Sequence, residues 1–153
     1  MLKKALLGIT LLVFVLGQSV CFANPIPNLV GTWEVSSVGV VLLKANDATK
    51  YGIIGTPLDK EGKIQAISSS PEDMKIIITE QKGRIFHGIK QSGKITEKFA
   101  GVIGYDNKSI HCVDDDGFNE GTYDSENDRI ETYYKHADDT DSMVVVGIWT
   151  RVK

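Results

Sequence analysis

The second half of this chain is divided with unusual regularity into strand-length segments separated by short turns. Seven segments are rich in Ile, Val, Tyr, Phe and Thr, which favour extended structure. They run from Met74 to Gln81, Arg84 to Gln91, Glu97 to Tyr105, Ser109 to Asp114, Phe118 to Asp124, Asp128 to His136 and Ser142 to Val152. Turn residues such as Lys82-Gly83, Ser92-Gly93 and Asp116-Gly117 lie between them. This spacing predicts an antiparallel meander in which each strand pairs with the next.

One further extended segment, Gly31 to Leu43, precedes the meander and brings the expected number of strands to eight. Eight antiparallel strands can close into a barrel, which leaves no unpaired edge. A two-sheet sandwich normally needs long connections between its sheets, whereas nearly all connections after residue 74 are short. We therefore predict an all-β fold, an eight-stranded antiparallel up-and-down β-barrel with no convincing helix.

Residues 44–73 form the one long connection. The segment contains Gly52, Gly55, Pro57 and Gly62, and it separates the first strand from the meander. A connection of this length in a compact domain is either functional or contains structure of its own. We expect a long loop or a flap over the barrel mouth, in which Tyr51 to Ile54 and Lys63 to Ile67 are possible short strands. It should be the most mobile part of the mature chain.

The N-terminal residues 1–23 have the pattern of a secretory signal peptide. Lys3 and Lys4 precede a 12-residue apolar run from Ala5 to Leu16, which is too short to span a bilayer. Small residues at Cys21 and Ala23 fit cleavage after Ala23. The sequence thus predicts a secreted or periplasmic protein with a single β-barrel domain at residues 24–153.

The composition of the mature chain excludes several classes of partner. Cleavage removes two of the 17 basic residues and none of the 20 acidic ones, which leaves a net charge of −5. This charge disfavours binding to nucleic acid or, after signal cleavage, to an anionic membrane. Cys112 is the one cysteine that remains, so an intramolecular disulfide is not expected, and we interpret it as a small buried hydrophobe. No cofactor is predicted, and the oligomeric state is left open.

The two end strands carry a pattern found at the ends of known barrels. The segment Leu29-Val30-Gly31-Thr32-Trp33 resembles the Gly-x-Trp opening of the calycin superfamily, and Val146 to Val152 resembles the last strand of avidins. The resemblance implies an avidin-like or lipocalin-like barrel in which Gly31, Trp33 and Arg151 are structural residues of one barrel end. In avidins, several tryptophans from the middle strands line the biotin site. Trp33 and Trp149 are the only tryptophans in this sequence and both lie on end strands, so biotin binding is not expected.

Side chains alternate between the two faces of a strand. If Trp33 and Arg151 both point inward, this alternation predicts which other side chains face the barrel interior. The polar and aromatic side chains on that face are Ser37, Thr132, Tyr134, Trp149 and Arg151, which we propose as ligand-binding residues. An apolar lining with hydroxyls and one cation suits a small, partly apolar ligand, such as one bearing a carboxylate. In the alternative, side chains fill the barrel, and the protein is an interaction or inhibitor module.

In this alternative, the interaction or inhibitor module would bind its partner through an acidic rim formed by the later hairpins. Residues 114–141 contain eleven acidic and two basic residues. Within them, Asp114, Asp115 and Asp116 could coordinate a hard cation, but we favour a solvated hairpin turn with Asp-Gly at its centre. His87, His111 and His136 show no metal-binding spacing, and no nucleophile motif is present. A non-enzymatic function is therefore expected, and an enzyme would need His87, His136 and an acid in one cavity.

Overall fold

The computed structural model describes residues 25–44, 55–93 and 95–153, and all regular structure in them is β. Ten strands follow one another along the chain: β1 (Gly31–Leu43), β2 (Thr56–Pro57), β3 (Ile64–Ser69), β4 (Met74–Lys82), β5 (Ile85–Ser92), β6 (Ile95–Ile103), β7 (Ser109–Val113), β8 (Gly117–Asp124), β9 (Arg129–Ala137) and β10 (Asp141–Arg151). The signal peptide expected at residues 1–23 and the possible strand at Tyr51 to Ile54 lie outside the described residues. Within the described ranges, there is no helix long and apolar enough to cross a membrane.

Eight of these strands form a closed antiparallel barrel, which confirms the predicted fold class. From β4 to β10 each strand pairs with the next, and β10 returns to pair with β1 from Trp33 opposite Arg151 to Leu43 opposite Asp141. Short turns join the meander strands, and in several of them a glycine, asparagine or aspartate takes the positive φ that the turn needs. Gly83 and Asn107, for example, have φ angles of 59° and 60°.

The segment after β1 contributes two short strands to the wall. β4 pairs with β1 over Gly31–Glu34, and β3 pairs with β1 over Ser37–Leu42, so both lie along the same edge. A turn at residues 70–73 separates them, with Asp73 Oδ2 accepting hydrogen bonds from the Ser70 amide and hydroxyl. β2 pairs with β3 over two residues. The region expected to be a loop or flap thus contains a strand at Ile64–Ser69, close to the Lys63 to Ile67 stretch.

A bulge in β4 turns its last residues toward the barrel end. Ile78 pairs with Gly88 and Glu80 with His87, which leaves Thr79 as an extra residue and reverses the alternation after it. Gln81 consequently reaches the N-terminal segment: its Oε1 accepts a 2.8 Å hydrogen bond from the amide of Leu29, and its Nε2 donates at 2.8 Å to the carbonyl of Pro27.

The hydrophobic core fills one end of the barrel. Its fully buried side chains come from the strand ends that meet there: Trp33, Ile78, Phe86, Ile103, Ile110 and Ile130, covered by Leu29. Phe86 and Phe99 pack edge to face, and Phe99 packs in the same way on Trp149. Dense packing at this end leaves the other end of the barrel as the place where a cavity can form.

Candidate functional site

Trp33 and Arg151 form a stacked pair at the closed barrel end. The Trp33 indole is fully buried, and its Nε1 donates a 3.0 Å hydrogen bond to the Leu29 carbonyl oxygen. The Arg151 guanidinium carbon lies 4.1 Å from the centre of the indole ring, and Arg151 Nε donates to Asp128 Oδ2 at 2.7 Å. Attraction between the cation and the ring face adds to the packing energy of this end.

The same guanidinium holds the N-terminal segment. Arg151 Nη1 donates to the Val30 carbonyl at 2.8 Å, and Nη2 donates to the Asn28 carbonyl at 2.7 Å. Gly31 lies beside it with a φ of 143°, and a Cβ there would lie 3.0 Å from Nη1. Gly31, Trp33 and Arg151 therefore act together at the closed end. Arg151, which was also proposed as a ligand-binding residue, does not line the cavity described next.

A cavity of about 460 Å³ occupies the opposite half of the barrel. Ser37, Thr132, Tyr134 and Trp149 all line it, so four of the five proposed ligand residues meet in one space. Trp149 lies at its inner end, against the core, and residues Gly147, Val145 and Met143 follow along β10 toward the mouth. Much of the wall is apolar, with Val35, Ile67, Ile76, Met143, Val145 and Trp149 among its residues.

Two hydroxyl groups in this wall are already engaged with neighbouring strands. Ser37 Oγ lies 2.7 Å from Ser69 Oγ, across the β1–β3 pair. Thr132 is buried, and its Oγ1 donates weakly to the Gly147 carbonyl at 3.4 Å. Among the described residues, the Ser37 hydroxyl bonds to another serine rather than to a base, and such a pair can orient a ligand by hydrogen bonds.

The cavity also contains an ionic cluster that the sequence analysis missed. Lys90 Nζ lies 2.5 Å from Glu97 Oε2 and 2.9 Å from Asp114 Oδ2. Burial alone would lower the pKa of Lys90, but its bonds to Glu97 and Asp114 outweigh burial and raise that pKa. Burial would raise the pKa of Asp114, but the hydrogen bond and charge of Lys90 lower it below the ordinary value. Lys90 and Asp114 therefore form an ion pair at neutral pH.

Tyr134 connects this cluster to the cavity mouth. Its hydroxyl donates a 2.8 Å hydrogen bond to Asp116 Oδ1, and Lys90 Nζ lies 5.1 Å from the centre of its ring. Burial, followed by the hydrogen bond to Asp116, raises the pKa of Tyr134 far above its usual range. Tyr134 is therefore a neutral phenol whose hydroxyl donates a hydrogen bond to Asp116.

The three consecutive aspartates have separate environments. Asp114 pairs with Lys90 and accepts a 2.8 Å bond from the Gly117 amide, as a turn-capping residue does. Asp116 accepts the hydrogen bond of the Tyr134 hydroxyl, and Asp115 is exposed. Carboxylate oxygens of Glu97, Asp114 and Asp116 do lie within 4.8 Å of one another, but Lys90 already supplies a positive charge there.

The histidines and the cysteine lie outside this cavity. His87 is exposed beside Glu80, at 3.3 Å, and His111 is also exposed, whereas His136 is buried near the mouth. His87 and His136 thus do not meet in the cavity, as an enzyme of the kind considered would require. Burial raises the pKa of Cys112 to about 12, so its thiol stays protonated and unreactive.

The alternation of buried and exposed residues along β5 could have identified Lys90 as a residue that faces the barrel interior. On β5 it shares its face with buried Phe86 and Gly88, and a lysine on a core-facing position signals a paired or functional charge. Its partners could not be found in this way, since Glu97 and Asp114 come from other parts of the chain.

Comparisons with protein-family models, with curated proteins and with solved structures find no match to this chain.

Proposed function

We propose that this protein is an exported, calycin-like, non-enzymatic barrel that binds a small, partly apolar ligand in its cavity. The observation that carries the proposal is the cavity of about 460 Å³ at one barrel end. Its size falls within the range of small-molecule sites, about 300–1,000 Å³, and its mixture of apolar wall and a few polar groups is typical of them. A barrel with such a space supports a carrier over an interaction module with a filled interior.

The charges in the cavity narrow the class of ligand. The wall carries one basic side chain, Lys90, and three acidic ones, Asp73, Glu97 and Asp116. Lys90 already pairs with Glu97 and with Asp114, so acidic groups are in excess. An anionic ligand would be repelled by these acidic groups. Lys90 could pair with it only by breaking its ion pairs with Glu97 and Asp114. We therefore propose a neutral or cationic ligand, in place of the carboxylate-bearing one suggested by an inward Arg151.

Export and lack of catalysis rest on separate arguments. The signal-like residues 1–23 support export. Among the described residues, the cavity lining includes no histidine or cysteine, and its Ser37 hydroxyl is bonded to Ser69. The acid–base groups of the wall are paired with one another, Lys90 with Glu97 and Asp114 and Tyr134 with Asp116, which supports a binding role over general-base or nucleophilic catalysis.

Two fluorescent probes that differ by one charge test the proposal. N-phenyl-1-naphthylamine is neutral, and 8-anilinonaphthalene-1-sulfonate carries a sulfonate on the same ring system. We expect the neutral probe to bind with one-to-one stoichiometry and increased emission, and the anionic probe to bind at least about tenfold more weakly. Native mass spectrometry of protein purified from its host would then show the natural ligand.

Matched variants on β10 locate the binding. Met143→Trp adds an indole to a cavity-lining position, whereas Val144→Trp adds one at the neighbouring exposed position. The first variant should abolish binding of the neutral probe, and the second should leave it unchanged. Equal binding by both variants, or tighter binding of the sulfonate by the unaltered protein, would contradict the proposal.

A further inference from the structure

We propose that His136, Asp138 and Asp141 form a binding site for a zinc-type divalent transition-metal ion at the barrel mouth. Each of these residues offers one ligand atom, and the three atoms lie within 4.8 Å of one another. They come from the end of β9, the connecting turn and the start of β10. His136 and Asp141 are buried, at 7% and 2% exposure, which is unusual for an imidazole facing two carboxylates.

A backbone carbonyl selects the tautomer of the His136 imidazole. Its Nδ1 lies 2.5 Å from the carbonyl oxygen of Asp116, and a carbonyl only accepts hydrogen bonds, so Nδ1 carries a proton. In the neutral imidazole, Nε2 then has the free lone pair. A histidine held by an Nδ1–H···O=C bond, with Nε2 facing anionic oxygens, has the arrangement that metal-bound histidines use.

Each carboxylate keeps one oxygen for the proposed ion. Asp138 Oδ1 accepts from the Thr140 amide at 2.6 Å and the Asp141 amide at 2.9 Å, which leaves Oδ2 facing His136 Nε2 at 3.6 Å. Asp141 Oδ1 lies 3.5 Å from the same nitrogen. This oxygen is buried and has no hydrogen-bond partner among the described residues. A buried, unsatisfied carboxylate oxygen is costly unless a cation neutralises it.

The spacing fits a small ion with tetrahedral coordination. Zinc bonds to imidazole nitrogen and carboxylate oxygen are about 2.0–2.2 Å long, which places neighbouring ligand atoms of a tetrahedron about 3.4 Å apart. The two distances from Nε2, 3.5 and 3.6 Å, are close to this value. An imidazole in the ligand set favours zinc and similar transition metals over magnesium and calcium, which prefer oxygen alone.

Among the described residues, no lysine or arginine forms an ion pair with the carboxylates of Asp138 and Asp141. The nearest lysine contact is that of Lys44, whose Nζ donates at 2.5 Å to the backbone carbonyl of Asp138 rather than to its carboxylate. Lys135, adjacent in sequence, pairs with Glu120. A bound metal ion would supply a positive charge at this position, and the competing source is a second proton on His136.

Zinc titration of the protein, first stripped of metal with a chelator, tests the proposal. Calorimetry should show one saturable site, and zinc should raise the melting temperature. Asp138→Asn keeps the Oδ1 acceptor of the turn but replaces Oδ2, so it should weaken zinc binding at least about tenfold without unfolding the protein. Asp139→Asn removes the same charge from an exposed neighbour in the turn and should leave binding unchanged.

15N NMR of the His136 imidazole distinguishes a bound metal ion from a second proton on the ring. Zinc should shift the Nε2 resonance to that of a metal-bound nitrogen while Nδ1 keeps its proton. Two protons on the ring at neutral pH that persist in excess zinc would overturn the proposal, as would equal zinc affinity in the Asp138→Asn and Asp139→Asn variants. The test is independent of ligand binding in the cavity, because neither varied residue lines it.

Discussion

Arg151 makes more separate interactions than any other side chain at the closed barrel end. It stacks on Trp33, pairs with Asp128, and donates to two carbonyls of the N-terminal segment. Three of its nitrogen atoms thus have a defined acceptor, which lysine could not reproduce, because only guanidinium has this planar array of donors. The resemblance of the end strands implied that Trp33 and Arg151 are structural residues of one barrel end, and the geometry adds which backbone groups Arg151 holds.

Replacement of Arg151 by alanine should destabilise the fold. The variant loses the stacking contact and leaves the Val30 and Asn28 carbonyls without their donor, so we expect a loss of about 2–3 kcal/mol in the free energy of unfolding. Urea denaturation measures this. Arg129→Ala is the matched control, because its pair with Asp124 is half exposed and should be worth less than about 1 kcal/mol.

Binding of the neutral probe distinguishes a structural role for Arg151 from a ligand role. Since Arg151 does not line the cavity, folded Arg151→Ala protein should bind the probe with unchanged affinity. Unchanged stability combined with lost binding would show that the assignment to the closed end is wrong.

At the scale of elements, β3 and β4 illustrate what strand patterns can and cannot predict. β4 has strong alternation and lies between β1 and β5. β3 continues along the β1 edge, but among the described residues its other edge pairs only with the two-residue β2. The sequence suggested a short strand at Lys63 to Ile67 but not its partner. Its pairing with β1 depends on how far β1 extends beyond the four residues that pair with β4.

Amide exchange should therefore be faster in β3 than in β4. A strand with so little neighbouring sheet opens locally at lower free energy than a strand paired along both edges. Hydrogen exchange followed by NMR can compare Ile67, in β3, with Ile76 and Ile78, in β4. Equal protection in the two strands would mean that β3 opens only when the whole barrel unfolds. The expectation that residues 44–73 are the most mobile part of the mature chain stays a prediction, since residues 45–54 lie outside the described ranges.

At the scale of the whole molecule, carboxylates dominate the charge balance. The pKa values of several are lowered by local hydrogen bonds: hydrogen bonds from Ser109 lower that of Asp106 to about 2, and Lys90 lowers that of Asp114. A carboxyl group with a lower pKa in the folded state releases its proton more easily there than in the unfolded chain. Its stabilising contribution is therefore complete above the unfolded pKa, near 3.8, and is lost as the pH falls through the folded value.

Stability should accordingly be steady near neutral pH and fall below about pH 4. Urea midpoints measured from pH 7 down to pH 2.5 test this. Asp114→Asn should reduce the slope of the fall, because it removes a buried carboxylate that pairs with Lys90. Asp115→Asn, at the exposed neighbour, should leave the slope unchanged. A midpoint that stays constant down to pH 3 would contradict the prediction.

Local sequence patterns were sufficient to predict the barrel, because strand alternation and short turns depend on residues that are close in sequence. They also placed Ser37, Thr132, Tyr134 and Trp149 on one face, since side-chain direction repeats every second residue of a strand. The size of the cavity, the pairing of Lys90 with Glu97 and Asp114, and the position of Arg151 at the opposite end depend on the closure of the sheet. Closure brings together residues from β5, β6 and the β7–β8 turn, and its geometry depends on strand register and tilt, which no single segment specifies.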